Sequence, residues 1–391
     1  MYSMLISKTY KYKLKLTSAQ ELEVISWLHT CRAIYNLALD TKIYAYKSQK
    51  VSFSCYDLQA QLTELKREKG YEWIKQVPSQ TLQNVIERMD FSYKSFFRGG
   101  GFPKFKRKGD YSSVVLKGVR MDDISNRIIV PKLGSVKFFK SRELKGDIRR
   151  ATITKETGGF FISILTEQAV NVNHIEYHSD SQAVGIDVGI NYFLVSSDGE
   201  YVENPRFINT HKSEMRVLQR KLARQQKGGY NWQKTKNRIA KLHAKTKNQR
   251  LGFLHKTANQ LLNSYDFIVV EKLQLKNMTK SAKGNTENPG KNVKQKSGLN
   301  KSLLDLGIGM FFDIIKYKSI WQGKTLIQVD PKYTSQKCST CGHTCRENRQ
   351  TQKLFVCVNC GYTTNADENA SNNILRAGSS HFRKREAIAC A

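Results

Sequence analysis

Three acidic residues stand where metal-dependent phosphodiester chemistry could be done. Asp187 lies in Gly185-Ile186-Asp187-Val188-Gly189, Glu271 closes Phe267-Ile268-Val269-Val270, and Asp367 lies in Asn365-Ala366-Asp367-Glu368-Asn369-Ala370. Each of the first two ends or nearly ends an apolar run, and the third opens an amphipathic segment. Hard carboxylate oxygens suit Mg2+, which keeps several of its own waters. Two such ions about 3.5–4 Å apart can acidify an attacking water and stabilise a leaving 3′ oxygen. The metals supply the positive charge, so this chemistry does not require a neighbouring Lys or Arg. Any one of these acids could equally be a turn residue; it is the set of three that points to metal. Asp330, after Thr325–Val329, is a fourth acid, as readily structural as a helper.

A second constellation is made of cysteines. Cys338-x2-Cys341 and Cys357-x2-Cys360 form two pairs at knuckle spacing, separated by residues 342–356. Four thiolates can surround one Zn2+ tetrahedrally and close its coordination shell, which makes the site structural. Gly342 and Gly361 follow the knuckles and suit their tight turns. His343 and Cys345 fall off the spacing and read as bystanders. Cys31 and Cys55 read as core residues, and Cys390 belongs to a C-terminal tail.

The elements that must position these groups lie in a very basic chain. It has 391 residues and a net charge of +32 from 65 Lys and Arg against 33 Asp and Glu. That length allows two or three domains, and that charge calls for a polyanionic partner. Between Lys212 and Lys256 the only acid is Glu214, so i,i+4 pairing cannot balance the cations and phosphate contact is the better reading. Tyr230, Trp232 and Phe253 could stack on bases there or serve as core. No apolar stretch approaches the roughly 20 residues of a spanning helix. No signal-peptide core follows Met1, so a cytoplasmic protein without a membrane partner is expected.

Periodicity divides the chain. Lys8–Leu16 alternates Tyr10, Tyr12, Leu14 and Leu16 against lysines, a half-buried strand. Thr17–Gln20 is a capping box, and helical spacing runs from there to about residue 98. Gly99-Gly100-Gly101 interrupts it and leads into the basic, aromatic run Phe102–Lys108. Short β-branched runs from 111 to 180 read as an antiparallel module, which residues 8–16 plausibly join. From Ala183 the pattern is α/β, with strands at 183–189, 192–197, 267–272 and 325–329. Basic helices fill 210–263, a polar mobile loop is expected at 276–300, and an apolar helix at Leu303–Trp321. An Asp on a first strand, a Glu ending a later strand and an Asp on a C-terminal helix are the distribution of an RNase H-like or integrase-like nuclease domain.

Gly185–Gly189, the strand ending in Glu271, Tyr333-Thr334-Ser335-Gln336-Lys337-Cys338 and Asp367-x-Asn369-Ala370 together resemble the TnpB (OrfB) family. These are insertion-sequence-encoded RNA-guided nucleases related to type V CRISPR effectors. Lys8–Leu39 and Gly101-Phe102-Pro103-Lys104-Phe105-Lys106 extend the resemblance over almost the whole chain. It implies a multidomain α+β and α/β fold. A wedge-like β-barrel would comprise 1–16 and 99–180, and an inserted helical recognition module 17–98. A RuvC/RNase H-like nuclease domain would comprise 181–332 and 363–378, an inserted zinc ribbon 333–362 and a tail 379–391. It implies Asp187, Glu271 and Asp367 as catalytic residues holding two Mg2+ ions, and one structural Zn2+ on Cys338, Cys341, Cys357 and Cys360. The implied partners are a guide RNA from the transposon end and double-stranded target DNA, cut beside a transposon-adjacent motif in a prokaryotic, nucleoid-associated setting. Many relatives carry Arg just before the last Asp; Ala366 here leaves ligation intact but removes whatever contact that Arg makes. A nuclease-inactive RNA-guided regulator and a strand-joining transposase fit the same residues.

Overall fold

The computed structural model describes residues 2–122, 125–172 and 182–389, with side chains for 4–122, 125–169 and 182–379. Cys390 and residues 173–180 of the expected β module lie outside that set. The chain divides into two compact units, one of Ser3–Val170 and one built from Asn171 onward.

The first unit begins with β1 (Tyr2–Lys15), whose Tyr10, Tyr12 and Leu14 are buried while Lys11, Lys13 and Lys15 face water. Thr17 then caps α1 (Ser18–Gln49): its hydroxyl accepts from Gln20 N–H, and the Gln20 side chain accepts from Thr17 N–H, both at 3.2 Å. Two orphan amides are satisfied by that exchange. Helices α2 (Cys55–Leu65) and α3 (Ser79–Phe97) follow. Trp27, Cys31, Ile34 and Leu39 of α1 meet Leu82, Ile86 and Met89 of α3 in the core. Strands β2 (Ser113–Leu116), β3 (Arg120–Asp122), β4 (Arg127–Val130), β5 (Gly134–Phe139), β6 (Asp147–Glu156) and β7 (Gly159–Val172) complete the unit. The sheet has seven strands in the order β2-β6-β7-β1-β5-β4-β3. The N-terminal strand therefore sits inside a sheet otherwise made after residue 113, and α1–α3 are inserted between its first two strands.

The second unit holds a five-stranded sheet in the order β10-β9-β8-β11-β12. Its strands are β8 (Ala183–Asp187), β9 (Tyr192–Ser196), β10 (Tyr201–Glu203), β11 (Phe267–Glu271) and β12 (Thr325–Val329). The β8-β9-β10 ribbon is antiparallel, whereas β8, β11 and β12 run parallel. The crossover from β10 to β11 is carried by α4 (Phe207–Thr210), α5 (Lys212–Ala223) and α6 (Tyr230–Ser264). Between β11 and β12 lie α7 (Leu275–Met278), α8 (Val293–Leu306) and α9 (Ile308–Gln322). After β12 come the short hairpin β13 (Leu354–Val356) and β14 (Thr363–Asn365), then α10 (Ala366–Ala389).

Strand alternation decides which helix covers which face. Val184, Ile186, Ile268 and Val270 point into a core with Leu254, Ala258 and Leu262 of α6 and Phe311 and Ile315 of α9. Phe267 and Val269 point the other way, where Ile374 of α10 meets them. Arg250 and Asp305 form an ion pair beneath α4, and the second Asp305 oxygen accepts Ile208 N–H at 3.0 Å.

On the α10 side the packing is close enough to exclude side chains. A Cβ on Gly185 would lie 2.2 Å from the Ser371 carbonyl oxygen and 2.6 Å from Leu375 N. One on Gly378 would lie 2.5 Å from a Val269 methyl. Glycine on the strand and glycine on the helix thus let α10 rest directly on β8 and β11.

Three boundaries differ from the sequence reading. The polar stretch 276–300 contains the end of α7 and the start of α8, leaving 279–292 without helix and with a Gly284–Pro289 bridge. The apolar helix expected at Leu303–Trp321 is two helices, broken where Gly307 turns left-handed at φ 69°. The expected tail continues as α10 to Ala389, because Arg, Lys, Glu and Ala after Ser379 favour helix.

Gly185→Ala is expected to destabilise the chain by about 1–3 kcal/mol through overpacking against α10. Equilibrium denaturation measures it; an unchanged midpoint would contradict the contact.

Candidate active site

Asp187 ends β8 and Glu271 ends β11, and the two strands are parallel neighbours with Ile186 opposite Val270. Continuing that register by one residue sets Asp187 beside Glu271, on strands about 4.8 Å apart. Asp367 stands in the first turn of α10, the helix that crosses β8 at Gly185. Its backbone N–H donates to Asn365 Oδ1 at 2.9 Å, an N-cap that fixes the start of the helix. The structure thus brings the three acids together, and their electrostatics register it. Burial pushes the Asp187 carboxyl up to about 7; the charges of Glu271 and then Asp367 push the same way, and the Arg349 guanidinium pulls against them. Burial raises Glu271 too, opposed by the Thr334 hydroxyl, which donates to Glu271 Oε1 at 2.5 Å. Burial raises Asp367, opposed by Arg349, whose Nη2 lies 3.4 Å from Asp367 Oδ1.

Three half-buried carboxylates, two of which raise the third, are a donor set suited to a hard divalent cation, with oxygens that do not all lie within 4.8 Å of one another. Asp330 is not part of it: its side chain is exposed and accepts Lys332 N–H at 3.0 Å, a turn contact. Glu368, next to Asp367, is tied off by the Tyr201 hydroxyl at 2.6 Å and the Thr364 hydroxyl at 2.7 Å.

The four predicted thiol ligands also converge. The sulfurs of Cys338, Cys341, Cys357 and Cys360 all lie within 4.8 Å of one another, a cluster that could bind zinc. Both knuckles close alike: Gly342 N–H reaches Cys338 O at 3.0 Å and Gly361 N–H reaches Cys357 O at 2.9 Å. The two glycines are left-handed, at φ 80° and 72°. His343 and Cys345 contribute no ligand atom to the cluster; the Cys345 thiol is turned to Glu347 instead.

The cluster is wired to the acids. Strand β14 runs straight into α10, whose Asn369 and Asn373 are buried. Asn369 accepts Ser339 N–H at 2.9 Å and donates to Lys337 O at 2.8 Å. Asn373 donates to Thr334 O at 2.9 Å and Lys337 O at 2.6 Å. The segment bearing the first cysteine knuckle is thus clamped to the helix bearing Asp367, and the same segment supplies Thr334 to Glu271.

Thr334, Arg349, Asn369 and Asn373 were not singled out as site residues from sequence. Asn369 and Asn373 had a signal, a polar i,i+4 pair on one helix face after Asp367. Arg349 had none among so many cations. Of the candidate stacking aromatics, Phe253 is packed against Phe193 at 4.9 Å and Phe207 at 5.8 Å, so it is core. Trp232 lies under the Lys236 ammonium at 5.1 Å, and Tyr230 is 81% exposed. Cys31 is buried and Cys55 half-buried.

A family model described as "Probable transposase" matches residues 164–282, one described as "Cas12f1-like, TNB domain" matches residues 309–374, and a helix-turn-helix model matches residues 4–50. The chain is 36% identical over 373 residues to the Escherichia coli K12 protein named "Putative RNA-guided DNA endonuclease InsQ", covering 95% of this chain and 92% of that one. It is 26% identical over 380 residues to a Streptomyces pristinaespiralis protein named "Putative RNA-guided DNA endonuclease", covering 95% and 90%. A solved structure titled as the mini-RNA-guided endonuclease CRISPR-Cas_phi3 shares the fold at a TM-score of 0.50 and 11% identity, over 95% of this chain and 92% of that one. No helix among the described residues is long and apolar enough to cross a membrane.

Two outcomes are expected from this geometry. A carboxyl raised from 3.8 to about 7 on folding favours the protonated native state. Its contribution is full below about pH 4 and is lost as pH rises through 7. Without added divalent cation, the denaturation midpoint should therefore decline over that range, and Asp187→Asn should flatten the decline; equal slopes would refute it. Cys357→Ser should lose bound zinc, seen by metal analysis, and with it stability, because a structural site's binding energy is folding energy. A zinc-free variant as stable as the parent would contradict the assignment.

Proposed function

The chain belongs to the TnpB (OrfB) family, and from that membership we propose that it is an RNA-guided, Mg2+-dependent DNA endonuclease. The observation that carries the reading is the meeting of Asp187, Glu271 and Asp367, with the Asp187 carboxyl held up near 7 by burial and by its two acidic neighbours. In this reading the five-stranded sheet with α10 across it is a RuvC-type, RNase H-like domain. The seven-stranded sheet with α1–α3 inserted is the wedge-like barrel and recognition module. The cysteine cluster is a structural zinc ribbon.

Asp187, Glu271 and Asp367 would hold two Mg2+ ions, which supply an acidified water and charge for the departing oxygen. The protein does the rest. Thr334 holds Glu271 in one orientation through its hydroxyl. Arg349 reaches Asp367 from the ribbon side and is placed to pair with a phosphate oxygen when a strand enters. The ribbon contacts keep the first turn of α10 in register with β8 and β11. Hydrolysis would leave a 5′-phosphate and a 3′-hydroxyl.

The net charge of +32 calls for a polyanion. The cations of α5 and α6, which the single acid Glu214 cannot balance, are suited to the phosphates of a guide RNA and its DNA heteroduplex. The guide would come from the transposon end, and cutting would occur beside a transposon-adjacent motif, one site cutting both strands in turn.

Asp187→Ala is expected to reduce cutting to background while retaining RNA and DNA binding. The assay is to purify the chain with its bound RNA, sequence that RNA, and offer matching targets in a randomised flanking library with Mg2+. Cutting that survives the substitution would overturn the site; binding without cutting by the parent chain would favour a regulator.

A further inference from the structure

A cavity of about 340 Å3 along the β9–β10 ribbon is not used by the mechanism above. It is lined by Asn191, Tyr192, Glu203, Asn204, Arg206 and Lys353. That volume is at the small end of ligand pockets, roughly 300–1,000 Å3, enough for one nucleotide and too little for a duplex.

One wall is bonded to a residue that flanks Asp367, and the other packs against a ring that is. On one side Tyr192 packs edge-on against Tyr201, with ring centroids 4.9 Å apart, and the Tyr201 hydroxyl donates to Glu368 at 2.6 Å. On the other side the Lys353 carbonyl accepts Ala366 N–H at 3.0 Å. Whatever occupies the cavity is therefore indexed to the third carboxylate.

The lining is set in advance. Glu203 pairs with Tyr192 across the β9–β10 ribbon, so the carboxylate and the ring share a face. Asn204 is committed to the backbone: its amide donates to Ile190 O at 2.7 Å, and its oxygen accepts Arg206 N–H at 3.0 Å. That bond holds Arg206 at φ 47°, a left-handed conformation non-glycine residues rarely adopt. Backbone strain of this kind persists where surroundings over-determine it and gathers at functional sites. An aromatic ring, two cations, one acid and one uncommitted amide are the parts of a nucleotide site. Rings stack on bases, cations pair with phosphate, and a carboxylate accepts from an exocyclic amino group.

We propose that this cavity holds one nucleotide of the strand being cut, with its base on Tyr192 and its phosphate between Arg206 and Lys353. Glu203 and Asn191 meet the base edge and favour the bases with an exocyclic amino group, cytosine, adenine and guanine, over thymine. Thymine has a carbonyl oxygen where the others have an amino group, and sets O4 or O2 against the Glu203 carboxylate on either side of its one N3–H donor. Cut positions therefore carry a base bias that guide pairing does not impose. This inference rests on the nuclease reading.

The test is photocrosslinking in the Asp187→Asn chain with its bound RNA, so that binding is read without cutting. Single-stranded DNA carrying 5-iododeoxycytidine is irradiated and the crosslinked residue mapped by mass spectrometry. A crosslink at Tyr192 is expected. It should persist in Tyr192→Phe and fall on the order of tenfold in Arg206→Ala and Lys353→Ala. Unlabelled dC and dA oligomers should compete better than dT, and Glu203→Gln should narrow that difference. Crosslinks confined to other residues, or competition blind to base and to Glu203, would overturn the proposal. Failure of the parent chain to cut would instead overturn the nuclease reading and leave this binding result standing.

Discussion

The second unit depends on how closely one helix can approach one strand. Where α10 crosses β8, the Ser371 carbonyl occupies the space a side chain at position 185 would need. Glycine on β8 and glycine at 378 on α10 bring the two backbones together, and two residues along the strand from Gly185 stands Asp187. A larger residue at either crossing would lift the helix, and Asp367 would lift with it. The cysteine segment acts on the same quantity from the other side, since Asn369 and Asn373 fasten α10 to the stretch that bears Cys338 and Thr334. Glycine clearance and asparagine clamp together fix one distance, that between the third acid and the first two.

Holding three acids together costs stability. Burial and the charges of Glu271 and Asp367 hold Asp187 partly protonated near neutral pH; Arg349 relieves Asp187 and Asp367 only in part, and Thr334 relieves Glu271. Perturbed carboxylates of this kind gather at functional sites because the arrangement suits a ligand better than it suits the empty fold. The cores around the site absorb that cost. Ile268 and Val270 bind the strand to α6 and α9 while Phe267 and Val269 bind it to α10, so β11 is buried on both faces and Glu271 emerges only at its end.

Features carried by local pattern were legible in the sequence. Lysine–tyrosine alternation marked β1, Thr17 and Gln20 marked the start of α1, and cysteine spacing marked the cluster. The acids could be picked out because each sits at the edge of an apolar run. Features set by partners distant in sequence were not legible. Nothing near Arg349 says that it faces Asp367, and nothing near Thr334 says that it donates to Glu271. Gly185 was visible as a glycine, but its reason lies in Ser371. The break at Gly307 was hidden because apolar residues continue through it, and the helical run past Ser379 because its polar composition reads equally as tail.

The order of the acids along the chain has a consequence for how the protein is made. A ribosome completes β8 first, β11 next and α10 well after both, with the cysteine segment between. A chain made only as far as β14 therefore carries every cation of α5 and α6 and two acids of three. Only when the last helix is released and settles over Gly185 is the set whole. The set of acids is thus the last part of the second unit to be completed, whatever the order in which the rest of it folds.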